Sequence, residues 1–580
     1  MKMLMGYIKK HKWFMLLGPF FKLLEALLEL LNPILVAKII DEGVTTASMA
    51  TIGKYGVILV VGNILGFCFS VIGQKCASLT STRIAASMRS DVFKKVSTFS
   101  HAELDKFGTA SLVNRLTNDI NQIESAIGVF MRTILRVPFL LIGAFVLSLL
   151  INVKMSLIFL VLIPVLTIVL IIYTKKTTPY FKQIRIKLDR ISKVTKENLS
   201  GTRVIRAFNK QEDEQNRFET ISQDYTKTSI KVSKISALLE PIIFMIVDIA
   251  TIALLAVGGW QINIGGMSQG DIIALIDYVA IISISLLLLS QIIAMLVRTV
   301  ASLHRIDEVL KTEPSIKNPE NAKQLKKLEY EALMEFNNVC FNYSFDVKEK
   351  SFIKDLSFKI YPGQTLGIIG GTGSGKTTIA SLMTRFYDVT QGEILYKGKN
   401  IKDFPLEQLR HEISIVQQRS TLFSGSLREN MQLRNKNATD KEIVEALKIS
   451  QAWPFVSEWK NGLDHQIMAG GKNVSGGQMQ RLTIARALID KPELLILDDS
   501  SSALDFLTDS KLRKALKQLE TATVFISQRA TSIKSADLII VLDHGDVVGM
   551  GKHSELMKNC EIYKEIYESQ SKWCRNVKRS

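Results

Sequence analysis

The segment QTLGIIGGTGSGKTTIASLM joins a short apolar run, a glycine-rich turn and an amphipathic stretch. Within it, Gly370, Gly375, Lys376 and Thr377 fit the pattern GxxxxGK[ST]. Glycines let backbone N–H groups curve around phosphate oxygens, and the start of a helix adds the positive end of its dipole. The pattern therefore predicts a strand, a phosphate-binding loop and a helix. Lys376 would contact the β- and γ-phosphates of a nucleotide, and Thr377 would bind Mg²⁺.

A second glycine-rich helix start lies in KNVSGGQMQRLTIARAL. Ser475, Gly476, Gly477 and Gln478 precede a helical stretch, which predicts another anion site at a helix N-terminus. Two phosphate-binding helix starts on one domain cannot easily hold the same nucleotide. The second is therefore expected to act on a nucleotide bound by a neighbouring chain.

The first half of the chain carries repeated apolar segments near the length of about 20 residues that spans a bilayer. Six spans are predicted, at 13–40, 55–76, 127–150, 155–173, 237–262 and 272–297. Lys22, Glu25 and Glu29 interrupt the first one. Its helix is therefore expected to face protein or water rather than lipid.

Charge is distributed unevenly between the predicted spans. Short connections at 41–54, 151–154 and 263–271 hold almost no Lys or Arg, whereas the long ones are rich in both, as in KKTTPYFKQIRIKLDRISKVTK. The positive-inside rule then predicts that the long segments and both termini are cytoplasmic. It also accounts for the formal net charge of +18 without a nucleic-acid partner.

After residue 297 the hydrophobicity falls, and from about residue 331 short β-branched runs alternate with amphipathic helices. This alternation is typical of an α/β domain. The predicted fold class is a membrane α-helical six-span domain at 1–315, a linker at 316–330 and an α/β P-loop nucleotide-binding domain at 331–580. The five cysteines form no CxxC pair, which favours neither disulfides nor a zinc site.

These motifs and their order resemble the ATP-binding-cassette (ABC) exporters over essentially the whole chain. In this resemblance GGTGSGKTT is the Walker A motif, VSGGQ is the signature with Val474 where leucine is usual, and LLILD ending at Asp498 is Walker B. Tyr343 matches the aromatic that stacks on adenine. The Walker A residues implied to bind ATP are Gly370, Gly371, Thr372, Gly373, Ser374, Gly375, Lys376, Thr377 and Thr378.

The resemblance also implies the remaining ATP and Mg²⁺ contacts. Gln418 in IVQQRSTLFSG matches the glutamine loop, and Asp505 ends the D-loop that begins at Ser502. The implied Mg²⁺ ligands are Thr377, Gln418 and Asp498. Ser475, Gly476, Gly477 and Gln478 would contact the nucleotide of a partner chain.

Two positions depart from the family pattern. Asp499 stands where a glutamate normally polarises the attacking water, and its side chain is shorter by one methylene, about 1.5 Å. Gln528 in TATVFISQR stands where a histidine normally contacts the γ-phosphate, and glutamine cannot carry that charge. A general base must reach the water by a hydrogen bond, so the sequence predicts an ATP site that binds better than it hydrolyses.

The chain combines an altered catalytic-base position with an intact signature motif. In this combination it resembles the degenerate-site subunit of heterodimeric multidrug-type exporters. The partner would be a second half-transporter in the cell membrane, and the substrate an amphiphilic small molecule. Two alternatives remain open: a homodimeric lipid or peptide exporter with weak ATPase, and a nucleotide-binding regulatory subunit without turnover.

Two cytoplasmic segments, 105–123 and 199–214, resemble the family's coupling regions, because each places a glycine or polar break between helical stretches. Within the predicted spans, Asp248 and Asp277 are ionisable. They could attract cationic amphiphiles from a central cavity, or serve as hydrogen-bonded structural carboxylates.

Overall fold

The computed structural model describes residues 2–319, 330–343, 352–500 and 503–577. Its contacts divide the chain into two units, one of Met1–Ser97 with Thr109–Thr312 and one of Thr98–Gly108 with Glu313–Ser580. The short segment Thr98–Gly108 thus belongs with the second unit, which the sequence did not indicate. Residues 320–329 of the predicted linker lie outside the described residues, and the boundaries 1–315, 316–330 and 331–580 remain predictions.

The first unit is built from helices. In chain order, and including α4 of the second unit, the helices of this part of the chain are α1 Lys2–Lys10, α2 Lys12–Lys38, α3 Met49–Ser97, α4 His101–Phe107, α5 Thr109–Asn114, α6 Ile120–Thr133, α7 Arg136–Ile151, α8 Val153–Ser200, α9 Thr202–Ala207, α10 Gln211–Ala237, α11 Leu239–Asn263 and α12 Gln269–Lys311. Two π-helical turns, Ile39–Val44 and Arg115–Asp119, interrupt this series. Helices such as α3 and α8 run far beyond bilayer length, as predicted for spans that continue out of the membrane.

Five helical segments in the described residues are long and apolar enough to cross a membrane. They are Met49–Ser97, Thr109–Ile151, Val153–Ser200, Gln211–Asn263 and Gln269–Leu289. The predicted count of six is not confirmed, because the first predicted span, α2, is helical but is not among these five. Its charged side chains at Lys22, Glu25 and Glu29 dilute the apolar stretch.

The charges of α2 contact other helices of the same unit. The Lys22 ammonium donates hydrogen bonds to the Glu25 carboxylate at 2.6 Å and to the Ser70 hydroxyl of α3 at 2.9 Å. The Arg136 guanidinium of α7 donates to the Glu29 carboxylate at 2.6 Å. The prediction that this face of the first helix meets protein rather than lipid is therefore confirmed.

The second unit combines strands and helices. Its strands are β1 Met334–Phe341, β2 Ile353–Ile360, β3 Thr365–Gly370, β4 Gln391–Tyr396, β5 Lys399–Asn400, β6 Ile413–Val416, β7 Gly425–Ser426, β8 Gln466–Ile467, β9 Leu494–Asp498, β10 Ala522–Ile526, β11 Leu538–Asp543 and β12 Asp546–Gly551. Besides α4, its helices are α13 Lys376–Met383, α14 Leu406–Glu412, α15 Leu427–Met431, α16 Asp440–Ile449, α17 Trp453–Val456, α18 Gly476–Leu488, α19 Phe506–Lys517, α20 Ala530–Ile533, α21 His553–Asn559 and α22 Glu561–Val577.

The central sheet has the order β12-β11-β3-β10-β9-β6 and is parallel except for β12. Its inner strands read as continuous apolar runs, LLILD in β9 and ATVFI in β10, and every residue of these two strands is buried. Parallel strands need cover on both faces, which explains why these runs do not alternate. Because the strands run the same way, the loops that follow β3, β10, β9 and β6 emerge at one edge. A second, antiparallel sheet has the strand order β2-β1-β4-β5.

We predict that Arg136→Gln lowers the free energy of unfolding of the full chain by about 1–3 kcal/mol. The Glu29 carboxylate loses its guanidinium partner at 2.6 Å, and the Glu25 carboxylate, which keeps Lys22, loses a contact at 3.8 Å. Lys193→Gln serves as the matched control, since it breaks an exposed pair with Glu197 at 4.0 Å within the same unit. It should change stability by less than about 0.5 kcal/mol. Thermal unfolding in one detergent measures both, and equal midpoints for the two variants would contradict the prediction.

Candidate functional site

The loop after β3 has the backbone conformation of a phosphate-binding loop. Gly373 and Gly375 adopt φ values of +81° and +99°, in the left-handed region that favours glycine. A Cβ atom on Gly375 would lie 2.4 Å from Cδ1 of Ile353. Gly371, Thr372 and Gly373 form the exposed tip of the loop, and α13 begins at Lys376. The predicted order of strand, glycine-rich turn and helix is therefore confirmed.

The Lys376 ammonium is held beneath this loop. It donates hydrogen bonds to the carbonyl oxygens of Gly370 at 2.9 Å and Gly371 at 2.6 Å, and to the Ser374 hydroxyl at 3.3 Å. Burial lowers the pKa of the Lys376 ammonium, and the carboxylates of Asp498 and Asp499 oppose that shift. The charge is thus partly desolvated beside the glycine-rich loop, which suits it to pair with an incoming phosphate.

Asp498 ends β9 and is only 3% exposed. Burial raises the pKa of its carboxyl group, although a hydrogen bond from the Thr377 hydroxyl lowers it. The structure thus brings together the hydroxyl of Thr377 and the carboxylate of Asp498. Oxygen atoms of these types are the ligands that Mg²⁺ prefers, so the residues present fit the ion.

Asp499 follows in the left-handed region, with φ +45°, where Asp and Asn are tolerated better than bulkier residues. Its backbone N–H donates to the Ile526 carbonyl oxygen at 2.8 Å, continuing the β9–β10 ladder by one residue. Gln418, on the loop after β6, donates from its amide to the Asp499 carboxylate at 3.4 Å. Burial raises the pKa of Asp499, while Arg529 and Gln418 act in the opposite direction.

Gln528 lies on the loop after β10, and its side chain is exposed. Because β10 pairs with β3 on one side and β9 on the other, Gln528 follows the strand that separates the Walker A loop from Asp498. The N–H of Ser527 donates to the Ile368 carbonyl oxygen of β3 at 3.1 Å. The residue predicted to contact the γ-phosphate is therefore at the same sheet edge as Lys376 and Asp498.

Tyr343 lies beside the Walker A helix. Its hydroxyl oxygen is 2.9 Å from Oγ1 of Thr378, and its ring packs edge-to-face against Phe341 and Phe352 with centroids 4.8 and 5.6 Å apart. The Tyr343 side chain remains 48% exposed. An aromatic ring held in this way can offer a face to a planar base.

The signature residues form a capped helix start. The Ser475 hydroxyl accepts from the Gln478 N–H at 3.3 Å, and the Gln478 side-chain oxygen accepts from the Ser475 N–H at 2.9 Å. These reciprocal bonds make a capping box at α18. A Cβ atom on Gly477 would lie 3.1 Å from the Ala503 carbonyl oxygen, which puts the signature next to the D-loop of the same chain.

Asp505 closes that D-loop as the N-cap of α19. Its carboxylate accepts a hydrogen bond from the Thr508 N–H at 2.9 Å. Ser502, the first residue of the predicted D-loop, lies outside the described residues. Two groups of motif residues therefore exist, one around the Walker A loop, Asp498 and Gln418, and one around Ser475–Gln478 and Asp505.

The first predicted coupling segment, 105–123, begins inside α4 of the second unit. There the Tyr387 hydroxyl donates to the Asp105 carboxylate, and the His101 ring stacks on Phe386 with centroids 4.2 Å apart. Gly108, with φ +72°, ends the helix. His101 lies just before the predicted segment, and its pairing with Phe386 could not be read from sequence because the two rings are far apart along the chain.

The second predicted coupling segment, 199–214, contains the expected breaks. Helix α8 ends at Ser200 with Gly201 as its C-cap, the short helix α9 follows, and α10 begins at Gln211. Leu199, Val204 and Phe208 expose 75, 59 and 72% of their surface. These three exposed apolar side chains lie within ten residues of chain, at the end of α8, in α9 and just after α9.

Asp248 and Asp277 both lie in the first unit. Asp248 is exposed on α11, whereas Asp277 is half-buried on α12. The roles suggested for them from sequence remain predictions.

A parallel sheet with a phosphate-binding loop and an oxygen-ligand pair at its carboxyl edge defines a P-loop nucleotide-binding protein. Its chain also carries helices that can cross a membrane. Family models match accordingly: the ABC transporter transmembrane region over residues 15–286 and the ABC transporter family over residues 353–502.

Whole proteins match as well. The uncharacterized ABC transporter ATP-binding protein YfiB of Bacillus subtilis is 32% identical over 570 residues, covering 98% of both chains. The ATP-dependent lipid A-core flippase of Haemophilus ducreyi is 28% identical over 573 residues, covering 98% of this chain and 97% of its own length. The solved structure of a bacterial Atm1-family ABC exporter with ATP bound matches 98% of this chain and 99% of its own, with a TM-score of 0.76 and 21% identity. The chain belongs to the ABC transporter family.

We predict that Gly375→Ala weakens ATP binding by at least about tenfold. The alanine backbone would have to keep the left-handed conformation that glycine adopts here, and its Cβ atom would displace Ile353. Gly398→Ala is the matched control, since Gly398 also has a positive φ, +73°, but faces open space. Titration of the full chain with a fluorescent ATP analogue measures both affinities. Unchanged binding by Gly375→Ala, or an equal loss in Gly398→Ala, would contradict the prediction.

Proposed function

We propose that this chain is one half of an ATP-driven exporter whose own Walker site binds ATP but hydrolyses it slowly. The observation that carries the proposal is the pair Asp499 and Gln528 at the carboxyl edge of the sheet. Both positions lie where hydrolysis requires a base and a charged contact to the γ-phosphate. Asp499 is too short by one methylene, and Gln528 is uncharged.

The surroundings of Asp499 support a site that retains ATP binding and hydrolyses ATP slowly, rather than one that has lost ATP binding. Its carboxylate accepts from Gln418, and its backbone is tied to Ile526, so the group is oriented. Lys376, Thr377 and Asp498 keep the arrangement that ATP binding needs. Mg²⁺ bound by Thr377, Asp498 and Gln418 would neutralise phosphate charge when present. The chain's own residues then bind and orient the nucleotide, while base catalysis is weak.

The kept signature supports a partner-dependent role. Ser475–Gln478 form a complete capping box, so α18 presents an ordered helix start for an anion. In the proposed assembly this helix start acts on ATP held by the Walker A loop of a second half-transporter. That partner carries glutamate and histidine at the two altered positions, as in heterodimeric multidrug-type exporters, and the substrate is an amphiphilic small molecule.

The membrane part of the proposal includes α2 as a sixth span. Lys22 pairs with Glu25 within α2, and Arg136 of α7 pairs with Glu29; this charge compensation supports the span, because it removes much of the cost of placing these groups in a bilayer. Lys9, Lys10 and Lys12 support cytoplasmic termini in the cell membrane. The exposed apolar residues Leu199, Val204 and Phe208 support docking of this coupling segment onto a nucleotide-binding domain of the assembly.

The second candidate is a homodimeric lipid exporter with weak ATPase. The similarity to the lipid A-core flippase, which covers nearly the whole of both chains, favours it. In that case Asp499 would act as the base in both sites. A purely regulatory subunit is less well supported, because the Gln418 contact and the α4 contacts that coupling requires are both present.

We predict that Asp499→Glu combined with Gln528→His raises ATP turnover of the purified chain by at least about tenfold, since a positioned base contributes roughly 10²–10⁴-fold. Wild-type turnover should be low although ATP binds. Phosphate release from the full chain in lipid nanodiscs is the measurement. The same double variant carrying Asp498→Asn is the control and should be inactive, which excludes a contaminating ATPase.

Robust turnover by the wild-type chain alone would overturn the slow-site proposal and favour the homodimer. Wild-type turnover that is low and remains low in the double variant would also count against it, provided that ATP binding is retained. The defect would then lie outside these two positions.

We predict that the signature acts on the other chain of a dimer. In the Asp499→Glu, Gln528→His background, Lys376→Met should inactivate the Walker A loop, and Ser475→Arg should inactivate the signature. Each variant alone has no intact site. When the two are co-expressed with different tags and purified through both, one intact composite site forms, and ATP turnover should return.

The control is the same tandem purification with both tags on Lys376→Met chains, which should remain inactive. Absence of recovery in the mixed dimer, with both chains shown to bind each other, would show that the signature does not serve the opposite nucleotide.

A further inference from the structure

The last described helix, α22, packs against the second unit through apolar and aromatic side chains. Tyr563 is fully buried, and its hydroxyl lies 2.9 Å from Nδ1 of His553 on α21. Ile562, Ile566 and Tyr567 are partly buried against the same core. Helix α22 is therefore docked rather than free along this stretch, and its next inward-facing residue is Gln570.

Gln570 makes two hydrogen bonds to the loop that carries Gln528. Its amide nitrogen donates to the Gln528 carbonyl oxygen at 2.8 Å, and its amide oxygen accepts from the Ala530 N–H at 2.9 Å. Among side chains of this length only glutamine offers one donor and one acceptor on the same terminal group. The two contacts therefore fix the orientation of the amide as well as its position.

These bonds complete a set that holds the loop on both sides. Ser527 donates its N–H to Ile368 at 3.1 Å, and its hydroxyl accepts the Arg529 N–H at 3.0 Å. Ala530 begins the short helix α20, whose first N–H groups have no partner within the helix. Gln570 supplies that partner from a helix forty residues further along the chain.

We propose that Gln570 is a positioning residue for the nucleotide site. It fixes the backbone that follows Gln528, at the Gln528 carbonyl and the Ala530 N–H, while Ser527 holds the preceding residue to β3, so that the side chain at position 528 is directed toward the γ-phosphate of ATP. Gln570 itself does not touch the nucleotide and acts through the loop. This inference rests on the proposed role of position 528 and extends it, because it makes the C-terminal helix part of the hydrolytic apparatus.

We call the two hydrogen bonds of Gln570, to Gln528 and Ala530, the clamp. Without the clamp, the loop keeps its bonds to β3, but its backbone becomes more mobile at Gln528 and Ala530. When the backbone at position 528 samples several conformations, its side chain contacts the γ-phosphate in only a fraction of them. Such a loss reduces turnover more than affinity, because Lys376 and the Walker A backbone hold the phosphates independently.

The test compares Gln570→Met, Gln570→Glu and Ser569→Ala in the full chain carrying Asp499→Glu and Gln528→His, in lipid nanodiscs. Methionine preserves the length and removes both hydrogen bonds. Glutamate retains the acceptor for the Ala530 N–H. It places a second acceptor opposite the carbonyl oxygen of residue 528, so that hydrogen bond is lost. Ser569 is the matched control, because its side chain is exposed and its hydroxyl donates to the Ile566 carbonyl oxygen within α22. The readouts are kcat, KM for ATP, and hydrogen exchange of the Ala530 amide.

Gln570→Met is expected to lower kcat by about tenfold with KM changed less than about twofold, and to accelerate exchange at Ala530. Gln570→Glu should also lower kcat, yet keep the Ala530 amide protected, because its acceptor remains. Ser569→Ala should match its parent. A loss of global stability without a change in kcat, a rise in KM in proportion to the fall in kcat, or a kcat equal to that of the parent in both Gln570 variants would overturn the proposal.

These outcomes are separable from failure of the proposed function. If Asp499→Glu with Gln528→His gains no turnover, the slow-site proposal fails, while hydrogen exchange in the wild-type chain still tests the clamp. Protection of the Ala530 amide that is identical in wild type and Gln570→Met would then overturn the clamp itself.

Discussion

The burial of the parallel strands β3, β10 and β9 is the constraint on which the second unit depends. Apolar side chains cover both faces of these strands, so polar side chains are displaced from the sheet to its carboxyl edge. Lys376, Asp498 and Asp499 all emerge within one residue or a short turn of a buried strand. Their proximity follows from strand direction and pairing, and no single hydrogen bond among them creates it.

Crowding at this edge also sets the electrostatics. Burial lowers the pKa of Lys376 and raises the pKa values of Asp498 and Asp499, so each charge depends on its neighbours for compensation. A partly desolvated cluster of this kind is matched to a phosphate and a divalent cation, both of which bring opposite charge. Lys376 is held by hydrogen bonds to Gly370, Gly371 and Ser374. The proposed effect of positions 499 and 528 on hydrolysis therefore does not require these bonds to change.

The predictions of local structure made from sequence motifs were confirmed where the motif residues are close together in the sequence. The strand, loop and helix around Lys376, and the capped helix start at Ser475, are local structures whose residue types leave few conformational alternatives. Prediction from motifs failed where distant segments decide the outcome. The segment with His101 belongs with the second unit because of Phe386 and Tyr387, and Gln570 meets the loop at Gln528 only after α22 has docked. The sequence predicted that the charged face of α2 avoids lipid, but it did not identify Ser70 and Arg136 as the contacts of that face.

The sequence alone determined the division into a membrane half and a nucleotide-binding half, the Walker A loop, and positions 499 and 528 as departures from the family pattern, because hydrophobic run length, glycine conformational freedom and side-chain chemistry are properties of short segments. Only the tertiary structure decided which of these residues meet. Strand order placed Gln528 between the Walker A loop and Asp498, helix packing paired Glu29 with Arg136, and the docking of α22 joined Gln570 to the loop. Such contacts depend on how buried surfaces fit together across the whole chain, and no local pattern encodes that fit.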